Sequence, residues 1–145
     1  MARGFLQDQR GASAAEFALV LPLLTLILFS ILIFGIALRD QIALTDGVRI
    51  AARELSVSRG DATPFDNTLG RFDVSIVGLK KSDVILKLEI DGEECENNDD
   101  CADALSDAVG LPVTARASYP CNLIVLSTDF ASNCILSAAT TARIE

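Results

Sequence analysis

Phe17–Leu38 reads FALVLPLLTLILFSILIFGIAL, 22 residues without a charge. Coiled as an α-helix, the run is about 33 Å long, which matches a bilayer hydrocarbon core of about 30 Å. In a chain of 145 residues this withdraws the run from any soluble core and leaves Arg39–Glu145 for a folded part. A domain of that size is marginal on hydrophobic burial alone. A secretory signal has an apolar core of about 7–15 residues followed by a small-residue cleavage site. The present run is longer, and GIALRDQ at its end offers no A-x-A pattern. A permanent anchor fits the length. Arg3 and Arg10 precede the run, so the positive-inside rule sets the N-terminus in the cytoplasm and the C-terminal part outside; Asp8 counts for little in that rule.

Charge is unevenly divided. Met1–Arg59 holds six Arg against five acidic residues, whereas Gly60–Glu145 holds six Lys and Arg against fifteen Asp and Glu, a net of −9. Nucleic acid demands a basic surface, so it is not an expected partner. The acidity serves solubility first. Four cysteines, Cys95, Cys101, Cys121 and Cys134, all follow the apolar run. An even count in a small exported domain points to two disulfides. With neither a C-x-x-C pair nor any His in the chain, zinc of the finger type is not expected. Cys95 with Cys101 and Cys121 with Cys134 is the favoured pairing, and the two crossed connectivities stay open.

The helix does not stop at the membrane. In RDQIALTDGVRIAARELS, Leu44, Val48, Ala51 and Leu55 recur at helical spacing, while Asp46, Arg49 and Arg53 lie on another face. One continuous helix is expected over 12–58, with 17–38 in the membrane and the stripe packed on the domain that follows. Packing on partner helices is the alternative use of that stripe. Pro22 removes a hydrogen bond and predicts a kink, and Gly47 permits a local bend. SRGDATPFDNTLG reads as a linker over 59–70.

Residues 71–145 read as a β-rich head. RFDVSIV and DVILKLEIDG both alternate, which predicts two antiparallel strands joined by GLKKSD, the second ending in the turn pair Asp91-Gly92. CADALSDAV predicts a short helix capped by Asp99 or Asp100. LPVTARASYP and CILSAATTARIE predict further strands, and NLIVLSTDF reads as a strand rather than a short helix. The expected class is α+β, a long helix with a small antiparallel head.

The stretch RGASAAEFALVLPLL, Arg10–Leu24, sets Gly11 at the cytoplasmic face and Glu16 five residues later. This resembles the processing site of type IV pilins, in which a membrane peptidase cuts after the glycine and a glutamate stands fifth in the mature chain. Here the cut falls between Gly11 and Ala12, which makes Glu16 the fifth residue. An aromatic residue, Phe17, follows it, as in the Tad (Flp-type, type IVb) branch. RGASAAEFALVLPLLTLILFSILIFGIAL is similar to TadE/TadG-like pseudopilins, and LSAATTARIE resembles that group's final strand. The resemblance implies a pilin-like lollipop and a minor pilin or pseudopilin of a Tad-type pilus or related secretion machine. It implies a bacterial inner-membrane location with the head periplasmic, a prepilin peptidase and other pilin-like subunits as partners, and a part in cell adhesion. Residues 1–11 would be the cytoplasmic leader, and Glu16 and Phe17 would act in assembly.

No enzyme is expected. The chain lacks His, a Gly-rich phosphate loop and a G-x-S-x-G motif, and no cofactor is implied. The densest acidic run, DGEECENNDD at 91–100, lacks EF-hand spacing, so a solvated loop is favoured over a calcium site. A competing function remains at this stage: an uncleaved single-span envelope protein whose acidic head binds a ligand or ion.

Overall fold

A computed structural model describes the backbone of residues 9–121, 124–125, 128–129 and 133–145 and the side chains of 13–121 and 133–145. The chain divides into two compact units, Met1–Ile36 and Ala37–Glu145. A 49-residue helix, α1 (Gln9–Val57), belongs to both and passes through Pro22. In the first unit nearly every side chain from Ser13 to Ile36 is exposed. The hydroxyls there are satisfied within the helix: Thr25 Oγ1 donates to the carbonyls of Leu21 (3.0 Å) and Pro22 (2.9 Å), and Ser30 Oγ to that of Leu26 (2.9 Å). Such back-bonding lets a Ser or Thr sit in an apolar helix without an outside partner.

In the second unit α1 is followed by α2 (Pro64–Ser75), a 3₁₀ turn (Lys81–Asp83), β1 (Ile85–Ile90), β2 (Glu93–Cys95) and α3 (Asn98–Ser106). Then come β3 (Pro112–Pro120), β4 (Ile124–Val125), β5 (Thr128–Asp129) and β6 (Ile135–Arg143). The main sheet is antiparallel with order β2-β1-β3-β6, and β4 pairs with β5. Asp91 and Gly92 join β1 to β2 with φ of 51° and 91°. Two positive φ values in a two-residue hairpin are what a type I′ turn requires.

The strands alternate as the pleat demands. Leu88 and Ile90 of β1 and Val113, Ala115 and Ala117 of β3 are buried on one face. Register sets Leu88 beside Ala115 and Ala115 beside Thr140. The α1 stripe, Leu44, Val48, Ala51, Ala52 and Leu55, completes this core with Phe72, Ile76, Leu105 and Ile144. On the other face Lys87 stands opposite Arg116, and each cation takes a carboxylate: Lys87 with Glu94 and Arg116 with Glu89.

Helix α1 also covers an edge. Ile144 N–H donates to Leu111 O, and Cys121 N–H to Cys134 O. The even-numbered residues of β6 therefore face β3, and the odd ones face outward. Gln41 Nε2 donates to Ser137 O (3.0 Å), and Glu145 N–H to Ser56 O (3.2 Å). Two points of α1, fifteen residues apart in sequence, thus hold the two ends of what would otherwise be a bare strand edge. The opposite edge, β2, has only three residues, two of them Glu.

The expected linker and first strand give way to α2. Phe72, Val74 and Ile76 do alternate, but Phe72 and Ile76 are four apart and extend the stripe begun by Pro64 and Thr68. All four are buried, while Val74 is exposed. β1 consequently pairs with β2 and β3 rather than with a strand at 71–77. Pro64 opens α2 at a position suited to proline, but its N-cap Thr63 makes no side-chain bond. Asn98 supplies one from α3, accepting from Asp66 N–H (3.1 Å) and donating to Asp66 Oδ2 (2.8 Å). The cap of α3 is Asn97, which accepts from Asp100 N–H, not Asp99 or Asp100; these two acids occupy its first turn. NLIVLSTDF contributes the short strands β4 and β5, and its other residues lie outside the described ones.

Gly47 marks close approach inside the helix rather than a bend. A Cβ there would lie 2.7 Å from Ile76 Cγ2 and 2.9 Å from Phe72 Cε2, two side chains packed in the core. Helix propensity alone favours Ala over Gly by about 1 kcal/mol. Overpacking a tight core costs about 1–3 kcal/mol, so Gly47→Ala is expected to lower the melting temperature of the full chain in detergent. Thr68 Oγ1 is buried without a hydrogen-bond partner. Thr68→Val is expected to raise stability by about 1 kcal/mol, because it removes an unsatisfied hydroxyl at constant shape. Denaturant titration of the two variants beside the parent checks both signs.

Candidate functional site

The opening turns of α1 carry the residues that the sequence singles out. The backbone is already helical at Gly11 and Ala12. Glu16 and Phe17 are exposed, as are Ala14 and Ala18. Arg3 and Asp8, with the rest of residues 1–8, lie outside the described residues. Ala12 and Glu16 are four residues apart on one helix, about 6 Å along the axis, so they share a face.

Beyond Phe17 the helix is apolar on every side. Among the described residues it is the one helix long and apolar enough to cross a membrane, with a mean hydropathy of 2.9 in its most apolar window and none of that window buried. A helix that is hydrophobic all round needs an apolar medium or apolar neighbours. By length and composition it suits a single-pass membrane anchor. From Arg39 onward the pattern becomes one-sided, with Ile42, Asp46, Arg49 and Arg53 exposed opposite the buried stripe. Asp46 and Arg49 pair at 3.3 Å on that outer face.

The cysteines pair as Cys95–Cys101 and Cys121–Cys134, with Cα separations of 5.1 and 5.2 Å. Cys95 ends β2, and Cys101 lies in the first turns of α3, so this bridge straddles the Asn97 cap. Both sulfurs belong to residues of the core. The acidic run 91–100 is partly employed in the fold: Glu94 binds Lys87 Nζ at 2.6 Å, and Asp100 Oδ2 accepts from Asn97 Nδ2 at 2.6 Å. Hydrogen bonding and charge attraction from Glu94 raise the Lys87 ammonium above its ordinary pKa of 10.5. The contribution of the Lys87 charge is therefore present at neutral pH and is lost as pH rises from the ordinary lysine value through the raised one. No group of three or more His, Cys, Asp and Glu is placed to hold a metal ion among the described residues.

Two structural contributors escaped the sequence reading. Asn98 joins α2 to α3, and only Pro64, at the first position of an uncapped helix, hinted that such a partner was needed. Gly78, with φ of 92°, lets its backbone lie against the Arg39 guanidinium; its glycine was the only signal.

The Cys95–Cys101 bridge closes a short loop next to a helix start. The chain-entropy relation gives about 2 kcal/mol for a loop of this length. Replacing both cysteines by alanine is expected to lower unfolding free energy by about that amount, read from denaturant midpoints with and without reductant. The reductant should then have less effect on the variant than on the parent.

Residues 11–53 match the family model of TadE-like proteins. That span runs along α1 from Gly11 to Arg53 and leaves the sheet outside it. No curated protein and no solved structure matches the chain. Over these residues the N-terminal helix is similar to TadE-like proteins.

Proposed function

We propose that this chain is a minor pilin or pseudopilin, a structural and non-catalytic subunit used in assembling a Tad-type pilus or a related secretion machine. One observation carries the reading: the Gly11-to-Glu16 spacing stands at the mouth of a TadE-like helix that is apolar and uncovered. A prepilin peptidase cuts between Gly11 and Ala12 while the precursor sits in the bacterial inner membrane with its N-terminus in the cytoplasm. The mature chain then begins at Ala12 and associates with other pilin-like subunits through α1.

The chemistry of the cut explains the carboxylate. Hydrolysis after Gly11 leaves an α-ammonium on Ala12, one helical turn from Glu16. An ionised carboxylate is costly in hydrocarbon, by about 2.5–3.5 kcal/mol for an acid at a helix centre on insertion scales. At the edge of the run Glu16 stays near the headgroups of a lone chain. When helices stack, the ammonium of one chain meets the Glu16 carboxylate of another, and both lose their water together. A buried pair of this kind selects one axial offset, which is the best-attested use of buried polar groups. Pro22 frees one carbonyl in the apolar run and gives α1 a place to bend as neighbours pack.

Intact-mass and N-terminal analysis of membrane and filament fractions tests the proposal. The expected mature N-terminus is Ala12. Gly11→Ala is expected to leave uncut precursor in the membrane. Glu16→Ala is expected to be cut normally but to be missing from assembled material. A mature chain that keeps its first eleven residues, in cells with an active peptidase, would overturn the reading.

A further inference from the structure

The second unit has two ends, which the sheet register identifies. At one end the row Ile90, Val113 and Ala142 leads to Glu145, whose N–H meets Ser56 of α1. The Asp91-Gly92 turn lies here, and most of the acidic run follows it. At the other end the row Ile85, Ser118 and Ser137 lies beside Gln41. The segment between α2 and β1 reaches the same end, since Gly78 packs on Arg39. Arg39 directly follows Leu38, the last residue of the uncharged run.

Large apolar side chains are exposed at this Arg39 end: Val77 is 73% exposed, Ile85 61% and Ile135 67%, with Val74 at 76% near the close of α2. Two of the three lysines in the acidic part of the chain, Lys80 and Lys81, lie in the same connection, which also holds Asp83. Lys81 shares its charge with Asp73 at 3.7 Å, and Lys80 forms no ion pair among the described residues. Apolar residues interleaved with lysines in an otherwise acidic unit match a surface of apolar chains beneath anionic phosphates.

We propose that the Arg39 end of this unit rests on the surface of the bilayer that holds α1. Val77, Ile85 and Ile135 enter the headgroup–acyl boundary, and Lys80 and Lys81 meet the phosphates of anionic lipids. The acidic end is held away from the same negatively charged surface. The proposal rests on reading α1 as the membrane anchor, and the test separates the two.

The chain has no Trp, so a single introduced Trp reports its own surroundings. The full chain is reconstituted in phosphatidylethanolamine–phosphatidylglycerol vesicles that contain acyl-brominated lipid, as the variants Val77→Trp, Ile27→Trp and Val109→Trp. Ile27 lies within the uncharged run. Val109 is exposed beside Gly110, which bonds Ile144 at the acidic end. Emission of Val77→Trp and Ile27→Trp is expected to be at least halved by brominated lipid, and that of Val109→Trp to be unchanged. Quenching of Val77→Trp is expected to fall when Lys80→Glu and Lys81→Glu are added. An unquenched Val77→Trp beside a quenched Ile27→Trp overturns the proposal and leaves the anchor standing. An unquenched Ile27→Trp overturns the anchor and the proposal together. Blue-shifted but unquenched Val77→Trp emission assigns the surface to a second copy of the chain and also overturns the proposal. Equal quenching with and without the lysines overturns their role.

Discussion

The folded part of this protein depends on burying one stripe of a helix. Leu44, Val48, Ala51, Ala52 and Leu55 of α1 are wholly withdrawn from water. Each buried Leu or Val of that set is worth about 1.5–3 kcal/mol against exposure, a large share of the net stability of a small domain. The elements on either side are fitted to the stripe. The sheet presents Leu88, Ile90 and Val113 beside small residues, Ala115 and Ala117 in β3 and Ala138 and Ala142 in β6. Gly47 removes one side chain from α1 where Phe72 and Ile76 need the space. Phe72 and Ile76 thus pack where α1 carries no side chain, which is how a thin core reaches close packing.

The same helix solves a second problem. A four-stranded open sheet has two edges, and each is a template for unwanted pairing. α1 occupies the β6 edge through Gln41 and Ser56, so the element that fills the core also stands where a fifth strand would dock. The β2 edge is handled by brevity and charge, with Glu93 and Glu94 exposed and Cys95 tied to α3. The Cys95–Cys101 link and the Asn98–Asp66 bonds chain β2, α3 and α2 together. Local cross-links of this kind compensate for the small apolar area available.

What could be read from the sequence follows from how much each segment repeats its pattern. α1 repeats for many turns, so its extent and its buried stripe were legible. β1, β3 and β6 alternate over six to nine residues and were also legible, as was the Asp91-Gly92 turn, whose chemistry is local. α2 was misread because two of its residues defeat the pattern. Thr68 is polar at a buried position, and Val74 is apolar at an exposed one. Their exchange turns a helical stripe into apparent alternation across Phe72, Val74 and Ile76. β2, at three residues, is too short to show a period. Of the candidate site, the residues at the helix opening form a pattern that can be seen in the sequence because their spacing lies along one element. The Gly78–Arg39 contact was not, because it joins positions far apart in sequence.

The distribution of charge says which part of such a subunit can act as adhesive. The stretch from Phe17 to Leu38 has no charge, and α1 leaves its apolar residues uncovered. From Gly60 onward the net charge is −9, and acids concentrate around the β1–β2 turn and α3. Like-charged units placed side by side repel within about a Debye length of 8 Å at physiological salt. Close lateral packing of the acidic ends is therefore opposed, while packing of the helices is not. In the proposed assembly, cohesion and axial register then belong to α1, with Glu16 as its one acidic group in the opening turns. The sheet acts as a solvated body that limits how densely the rods crowd. The TadE-like match runs along α1 and stops before α2, so the part of the chain that resembles other proteins is the rod to which the proposed assembly assigns subunit contact.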